Sequence, residues 1–357
     1  MALQLPARIG KYQLEEFVGG GMSHVYRAID TVLGRTVALK ILTESGCADG
    51  EAKARFLAEA RMAGNIVHEN IISVYDFGDE QGRPFIVMEF LSGESLKEAI
   101  KNNRPPDLRG KLGIALQIAR ALDYIHSKKI IHRDIKPENV QVDNSGKVKL
   151  MDFGIAKSEG LQLTRAGFTL GTPYYMAPEQ VLGQQVTNLV DVYAFGVLLF
   201  ELLSGVKPIT GDTVERIFHQ ILYEPLDLEP LRRAGAPQRI YELAAHCTVK
   251  DPVQRIQGFL LVAQEIEAAL AGNLEPMPAA APAPGPRATA ARPAAPVAPR
   301  GPAPPRAPQP AGDLPAFFNS LPPRFRTQQW LMVFAAAAVL GGLALLYALV
   351  SVVARLV

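Results

Sequence analysis

Residues 131–154 read IHRDIKPENVQVDNSGKVKLMDFG, and this stretch decides the fold of the chain. Its acidic, basic and amide side chains stand close together, and the segment between Asn139 and Asp152 is long enough for a hairpin that returns the chain beside its own start. Residues 112–130 precede it with apolar side chains at helical spacing, which is typical of an amphipathic helix. We therefore expect a helical region that carries a polar, chemically active loop.

Towards the N-terminus, residues 12–91 are predicted to be rich in strands and to hold one helix. Apolar residues alternate on both sides of a glycine turn at residues 19–21, and further alternating runs follow it. Residues 51–64 have helical spacing instead. Because glycine has no side chain, the turn lets backbone amides approach a phosphate closely. The ammonium of Lys40 on the next strand can reach that phosphate, and Glu59 on the helix can hold the ammonium in place.

These features, together with GTPYYMAPEQ at residues 171–180, resemble the eukaryotic-type serine/threonine protein kinases. The resemblance covers residues 8–270, and GGMS at residues 20–23 is similar to the bacterial branch of that family. It implies an α+β, bilobal protein-kinase fold with a small β-rich N-lobe (8–91) and a larger helical C-lobe (92–270). The implied activity is transfer of the ATP γ-phosphoryl group to serine and threonine hydroxyls of protein substrates, with Mg²⁺ or Mn²⁺ as cofactor.

The resemblance also implies a role for each matching residue. Asp134 would be the catalytic carboxylate that accepts the proton of the substrate hydroxyl, and Lys136 would neutralise charge on the phosphoryl group. Asn139 and Asp152 would hold the metal ions that bridge the phosphates. Such placement suits phosphoryl transfer, which depends mostly on positioning and on cations that stabilise spread negative charge. The expected ATP-binding residues are Val18, Gly19, Gly20, Gly21, Val25, Ala38, Lys40 with its partner Glu59, the gatekeeper Met88, and Glu89 and Leu91 of the hinge.

The resemblance places an activation segment between residues 152 and 179. Arg133 would bind a phosphate on that segment and so order it. We predict that Thr164 is autophosphorylated and switches activity on, with Thr169 as the second candidate. The residues expected to support the site are Asp191 behind the catalytic loop and a buried ion pair of Glu179 with Arg255.

Two positions depart from the family pattern. Counting back along the glycine loop places Ser23, Gly20 and Val18 at the three family glycines, whereas starting from Gly19 leaves the loop one residue short. Either alignment alters the grip on phosphate. Gln141 stands where the family usually has an apolar side chain beneath the adenine, and the sequence does not explain it.

Composition excludes several other classes of protein. With 37 Lys and Arg against 35 Asp and Glu, the net charge of +2 excludes a uniformly basic nucleic-acid binder, and no nucleic-acid partner is expected. Two cysteines, Cys47 and Cys247, exclude a disulfide framework and a four-cysteine zinc site, and both are expected to be free thiols. The charge is divided unevenly, because residues 1–274 carry −3 and residues 275–329 carry +4.

The C-terminal part is predicted to tether the kinase domain to a membrane. Residues 275–329 are rich in Pro, Ala and Arg, and we expect an extended, disordered linker. Residues 330–353 carry no charge and predict one transmembrane helix, followed by a short extracytoplasmic tail at 354–357. By the positive-inside rule, the arginines before this helix place the kinase domain in the cytoplasm, at the cell membrane. Anionic lipid is therefore an expected partner, and a homodimer would allow trans-autophosphorylation.

Three functions compete at this level. The first is an active, membrane-tethered serine/threonine kinase. The second is a pseudokinase, a scaffold that binds nucleotide and partners without efficient transfer. The irregular glycine loop and Gln141 favour this second function, whereas the complete set of catalytic and metal-binding candidates opposes it. The third, a small-molecule phosphotransferase, is disfavoured by GTPYYMAPEQ, which resembles the peptide-docking segment of the family.

Overall fold

An antiparallel, six-stranded sheet forms the N-terminal part of the computed structural model, which describes residues 5–152 and 173–277. In chain order its strands are β1 (Ala7–Ile9), β2 (Tyr12–Gly20), β3 (Ser23–Asp30), β4 (Arg35–Leu42), β5 (Val74–Glu80) and β6 (Arg83–Glu89). They lie in the sheet in the order β1-β2-β3-β4-β6-β5. The predicted β-rich N-lobe is thereby confirmed.

Burial explains why this part of the chain forms strands. Leu14, Tyr26, Val37 and Leu39 are fully buried and belong to one apolar cluster of the sheet. In the part of β2 and β3 that carries this cluster, buried side chains alternate with more exposed ones, which is the period of a strand with one covered face, whereas β4 is buried at three consecutive residues. Strand β1 was not predicted, because three residues are too few to show a period.

Two helices connect β4 to β5, where the sequence predicted one. They are α1 (Glu44–Ala48) and α2 (Gly50–Ala63). The side chain of Asp49 caps α2, and its Oδ1 accepts hydrogen bonds from two backbone amides at 3.0 and 3.1 Å. Phe56 and Ala60 bury the predicted apolar side of α2. Helix α1 has little more than one turn, so periodicity could not reveal it.

The C-terminal part is mostly helical and surrounds α6 (Leu189–Ser204), whose residues are buried on every side. The predicted helix at 112–130 is α4 (Leu108–Ser127). It begins earlier than predicted because the side chain of Asp107 accepts a hydrogen bond from the Gly110 amide at 2.8 Å. The remaining helices are α3 (Leu96–Lys101), α5 (Pro178–Val181), α7 (Val214–Tyr223), α8 (Glu229–Arg233), α9 (Gln238–Cys247) and α10 (Phe259–Leu270).

The expected hairpin after the polar loop is present. Strand β8 (Val140–Val142) pairs with β9 (Val148–Leu150), and β7 (Glu94–Ser95) pairs with β8 on its other side. Asn70, which precedes β5, ties the hairpin to the N-lobe. Its side-chain Nδ2 donates to the carbonyl of Val148 at 3.1 Å, and its own carbonyl accepts from the amide of Leu150 at 2.8 Å. The polar loop and the end of β9 are thus held against the N-lobe.

The first residues of the predicted linker pack on the C-lobe. The amide of Met277 donates to Glu242 of α9 at 2.7 Å, and Arg239 donates to the carbonyl of Pro276 at 3.4 Å. Met277 also contacts the main apolar cluster. The packed part of the chain therefore continues through Met277.

Several predicted features lie outside the described residues. They are Thr164 and Thr169, the linker beyond residue 277, the transmembrane helix at 330–353 and the tail at 354–357. Within residues 5–152 and 173–277, no helix combines the length and the hydropathy needed to cross a membrane.

Both cysteines are free thiols, as predicted. Cys247 is fully buried in the C-lobe, and burial raises the pKa of its thiol to about 12. Cys47 on α1 is partly buried. Neither thiol lines the cleft described below.

Candidate active site

A cleft of about 500 Å³ lies between the N-lobe sheet and the β8–β9 hairpin. Apolar side chains make up most of its lining, and charged groups gather at Lys40. Such a cavity is large enough for a small organic ligand with a flat apolar part and a charged part. The predicted ATP-binding residues that line it are Val18, Gly19, Val25, Ala38, Lys40, Glu59, Met88, Glu89 and Leu91.

Some of the lining was not predicted. Ile86 precedes the predicted Met88 by two positions on β6, so both side chains project from the same face of the strand. That spacing was a usable signal. Met151 directly precedes Asp152, and adjacency alone does not show which way its side chain turns. Phe90 lies within the predicted hinge, and the unpredicted lining residues are Glu16, Phe17, Ala63, Ile72, Val74, Ile86, Gly93 and Met151.

The glycine loop needs glycine at only part of its length. Gly19 lines the cleft, whereas Gly20 and Gly21 lie at the turn between β2 and β3. At Gly20, φ is +139° and an added Cβ would lie 1.9 Å from the carbonyl oxygen of Ser23, so only glycine fits. Val18 does not have a positive φ, and its side chain is exposed at the cleft. The backbone therefore accommodates valine at this position.

Lys40 is the centre of a charged network. Its Nζ lies 2.8 Å from Oε1 of Glu59 on α2 and 2.9 Å from Oδ1 of Asp152, which follows β9. Burial disfavours the charged ammonium, but the attraction of Asp152 and Glu59 outweighs it and raises the pKa of Lys40. Lys40 in turn lowers the pKa of Asp152. The network keeps a positive charge in a fixed position where a phosphate can bind.

Asp134, Lys136 and Asn139 form a second polar cluster. Lys136 Nζ donates to Asp134 Oδ2 at 2.7 Å, and Asn139 Nδ2 donates to the same oxygen at 3.0 Å. Asn139 Nδ2 also donates to the backbone carbonyl of Asp134 at 2.8 Å. These donors hold the Asp134 carboxylate in one orientation, which a general base requires.

Asp191 supports this cluster from within the C-lobe, at the place that the sequence predicted. It is fully buried on α6, and its carboxylate accepts hydrogen bonds from the amides of His132 at 2.8 Å and Arg133 at 2.7 Å. His126 Nε2 lies 2.8 Å from the same carboxylate. Arg133 has φ of +65°, which is unusual for a residue with a side chain. The buried carboxylate therefore holds a strained turn of backbone next to Asp134.

Two hydrogen bonds join the catalytic cluster to the end of the hairpin. Burial lowers the pKa of His132, and its neutral ring donates from Nε2 to the carbonyl of Met151 at 3.1 Å. The amide of Met151 donates to the carbonyl of Asn139 at 2.8 Å. Asp152, the next residue, is thereby brought to the side of the cleft that carries Asn139.

The side chains of Asn139 and Asp152 fit a divalent cation of the magnesium type. Because Nδ2 of Asn139 is engaged with Asp134, its side-chain oxygen remains as an acceptor. Asp152 adds a carboxylate whose pKa Lys40 holds low. An amide oxygen and a carboxylate are the hard oxygen ligands that Mg²⁺ and Mn²⁺ take in proteins.

Gln141 gains an explanation that the sequence could not supply. Its side-chain Nε2 donates to the carbonyl oxygen of Leu91 at 3.4 Å, and a carbonyl acceptor requires the amide to be turned this way. Gln141 lies on β8 of the C-lobe, whereas Leu91 follows β6 of the N-lobe. The glutamine therefore ties the floor of the cleft to the segment that connects the lobes.

The predicted ion pair between Glu179 and Arg255 is present and buried. Arg255 donates to both carboxylate oxygens of Glu179, at 2.7 and 3.1 Å, and both side chains are almost inaccessible. Arg255 also donates to the carbonyl of Leu189 at 2.7 Å. Two hydrogen bonds between one guanidinium and one carboxylate fix the orientation of both groups. The ion pair therefore anchors the chain at α5 to the C-lobe core.

Comparison with known proteins agrees with this geometry. Residues 12–267 match the family described as the protein kinase domain. The chain is 36% identical over 354 residues to serine/threonine-protein kinase PknA of Mycobacterium tuberculosis, and the matched region covers 96% of this chain and 81% of PknA. The chain is 38% identical over 261 residues to serine/threonine-protein kinase PrkC of Bacillus subtilis, and the matched region covers 72% of this chain and 40% of PrkC.

Solved structures give the same result. The PknI kinase domain of Mycobacterium tuberculosis is 26% identical with a TM-score of 0.58, covering 76% of this chain and 100% of that one. Rad53 in complex with AMP-PNP is 26% identical with a TM-score of 0.60, covering 73% of this chain and 65% of that one. The family match spans most of the chain, and the relative PknA is matched over most of both chains. The chain therefore belongs to the protein kinase family, among the bacterial serine/threonine protein kinases.

Proposed function

We propose that this serine/threonine protein kinase transfers the γ-phosphoryl group of ATP in the cleft, with Asp134 as the catalytic residue and Lys40 as a phosphate ligand. The observation that carries the proposal is the joining of two polar groups. The β8–β9 hairpin, through Asn139 and His132, links the cluster around Asp134 to the network around Lys40. A scaffold that only bound nucleotide would not need the Asp134 cluster.

Each residue has a task that follows from its contacts. Lys40, held by two carboxylates, would bind phosphate oxygens of ATP without reorganisation. The Asp134 carboxylate would orient the substrate hydroxyl and take its proton as the new O–P bond forms and the bond to ADP breaks. Lys136 Nζ, 2.7 Å from that carboxylate, would neutralise charge on the phosphoryl group in transit. A divalent cation held by Asn139 and Asp152 would supply further neutralisation of the phosphates.

Asp134→Asn tests this proposal, with Asp212→Asn, an exposed carboxylate away from the cleft, as the matched control. Both variants and the parent are incubated with labelled ATP, Mg²⁺ and a generic acceptor protein. We expect transfer to fall by roughly 10²–10⁴-fold in Asp134→Asn and to be unchanged in the control. ATP binding with no transfer by the parent would contradict the proposal and favour the pseudokinase.

We propose that regulation acts through autophosphorylation of Thr164, with Thr169 second, and that it occurs between two molecules. The support is the resemblance of the activation segment, since both threonines lie outside the described residues. Mass spectrometry of the recombinant chain should find phosphate on Thr164, at an initial rate that rises with the square of enzyme concentration. Full activity with Thr164 unmodified would contradict this.

We also propose that residues 330–353 anchor the kinase in the cell membrane, with the kinase domain in the cytoplasm. The support is the absence of charge over that run and the arginines that precede it. The full chain should float with liposomes at high salt, whereas residues 1–277 should not. Adding anionic lipid should strengthen the association at low salt only. A full chain that stays in the aqueous fraction would contradict the anchor.

A further inference from the structure

Thr43, a residue outside every role given above, holds the tip of the glycine loop. The carbonyl oxygen of Met22 in the turn between β2 and β3 accepts two hydrogen bonds from it. One comes from the Thr43 amide at 3.0 Å and the other from the Thr43 hydroxyl at 2.8 Å. Ser23 pairs with Leu42, so the amide bond merely extends the β3–β4 ladder by one residue. Any residue could make that bond, but the second one needs a hydroxyl.

Helix α1 packs against the same carbonyl. Gly46 of α1 is buried, and a Cβ added to it would lie 2.7 Å from the Met22 oxygen. The hydroxyl of Thr43 accepts a hydrogen bond from the Gly46 amide at 3.1 Å and so caps the helix. Thr43 is only 6% exposed. One buried hydroxyl thus connects the loop tip to the start of α1.

The loop tip is also where backbone amides are available. The amides of Gly21 and Met22 form no hydrogen bond with any part of the chain that the structure describes. Because the peptide unit is planar and trans, fixing the Met22 carbonyl also fixes the amide of Ser23, which points away from Thr43. Successive amides of this kind form the usual cradle for a phosphate.

We propose that Thr43 is a positioning residue for ATP, whose hydroxyl holds the loop tip so that its amides stay directed at the phosphates. This inference rests on the proposed use of ATP. It predicts that ATP binding weakens and adenosine binding does not, because the hydroxyl contacts Met22, Ser45 and Gly46, none of which lines the cleft.

Thr43→Val tests it in the full chain, since valine keeps the shape and the backbone bond but removes the hydroxyl. Isothermal titration measures the Kd of ATP with Mg²⁺ and the Kd of adenosine. We expect the Kd of ATP to rise roughly threefold to tenfold, as for one lost hydrogen bond, and the Kd of adenosine to stay unchanged. Thr43→Ser restores the hydroxyl and should restore ATP affinity.

Thr213→Val is the matched control. Thr213 caps α7 by accepting from the Arg216 amide at 3.2 Å and does not line the cleft. We expect both valine substitutions to lower the melting temperature, because each removes a helix cap. Only Thr43→Val should weaken the binding of ATP. The inference would be overturned if the two variants raised the Kd of ATP equally. It would also be overturned if Thr43→Val raised the Kd of adenosine by the same factor as the Kd of ATP.

A second pair of variants decides the matter if Thr43→Val does not fold. Gly46→Ala places a methyl against the Met22 carbonyl and the Leu42 side chain, whereas Gly50→Ala on α2 meets open space. Gly46→Ala should weaken ATP more than adenosine, and Gly50→Ala should change neither. If Gly46→Ala leaves the ratio of the Kd of ATP to the Kd of adenosine unchanged, the inference is overturned. A parent that binds ATP as expected but transfers nothing would contradict the proposed function alone.

Discussion

The two polar groups at the cleft are built in opposite ways. Asp134 and Asn139 are five positions apart, and their support, Asp191, is completely buried. Lys40 instead meets Glu59 from 19 positions away and Asp152 from 112 positions away. The Asp152 side chain is 54% exposed. The catalytic cluster is therefore local and rests on a fully buried carboxylate, whereas the lysine network is assembled from distant segments and is open to solvent at Asp152.

This difference teaches where each group obtains its geometry. The catalytic cluster depends on the C-lobe core, because its strained backbone is held by a carboxylate that has no access to water. The lysine network depends on the approach of α2 and the hairpin to β4, and solvent reaches it mainly at Asp152. Damage to the buried support of the first group, Asp191, should therefore reduce stability first, and damage to the second group should reduce activity.

The largest effect is expected for Asp191→Asn. The asparagine would turn a side-chain N–H₂ towards buried donors that now bond to a carboxylate, so we expect the free energy of unfolding to fall by about 3 kcal/mol. Urea unfolding measures it. The control is Asp227→Asn, because Asp227 also accepts a backbone amide, from Glu229 at 2.9 Å, but is exposed. A similar small change in both variants would show that the buried support is unimportant.

Glu59→Gln tests the lysine network, the second of the two polar groups. We expect kcat/KM for ATP to fall about tenfold, because Lys40 loses one of the charges that position it, while the free energy of unfolding changes by less than about 1 kcal/mol. Steady-state kinetics and urea unfolding measure the two quantities. Glu51→Gln on the exposed part of α2 should change neither. A loss of stability as large as that of Asp191→Asn would refute the contrast.

Gln141→Leu should produce a smaller and opposite change. Leucine removes the bond to Leu91 but places an apolar side chain at the floor of the cleft, so we expect the KM for ATP to fall roughly twofold to fivefold. Adenosine binding should improve by the same factor, since the change acts on the base and not on the phosphates. A raised KM would mean that the tie between the lobes outweighs the apolar contact.

The smallest effect on ATP use is expected at Lys250, far from the cleft, where the change should appear in stability alone. Its Nζ donates to Tyr193 Oη at 3.2 Å and to the Gln220 carbonyl at 3.3 Å, and burial lowers its pKa to about 8. Between that value and the unfolded pKa near 10.5, the folded state binds fewer protons than the unfolded state, so raising the pH stabilises the fold through this group. Below pH 8 the contribution no longer changes.

Urea unfolding of the parent and of Lys250→Met at pH 7.5, 8.5 and 9.5 measures this contribution as a difference, which cancels the titration of other groups. The parent should gain stability relative to the variant as the pH rises. Parallel curves would contradict the lowered pKa. Because Lys250 does not line the cleft, the KM for ATP should be equal in both proteins at each pH.

The contrast between the two groups also explains how much could be predicted. Asp134, Lys136 and Asn139 lie together in any fold that keeps their loop intact, so the motif was sufficient to locate them. The buried pair of Glu179 and Arg255 was likewise predicted from its motifs. Helix α1 and the grip of Thr43 on Met22 were not predicted, because a one-turn helix has no period and is stabilised by what it packs against.

The sequence by itself determined the long periodic elements, the glycine turn and the polar loop. It also determined the division of the chain into an acidic part, residues 1–274, and a basic part, residues 275–329. Only the tertiary structure decided which carboxylate oxygens Lys40 meets, what Gln141 bonds to and that Met277 of the predicted linker packs on the C-lobe. The physical reason is that hydrophobic periodicity encodes burial, which can be read along one chain. A hydrogen bond between distant residues depends on distance and direction, and these exist only after the lobes have packed.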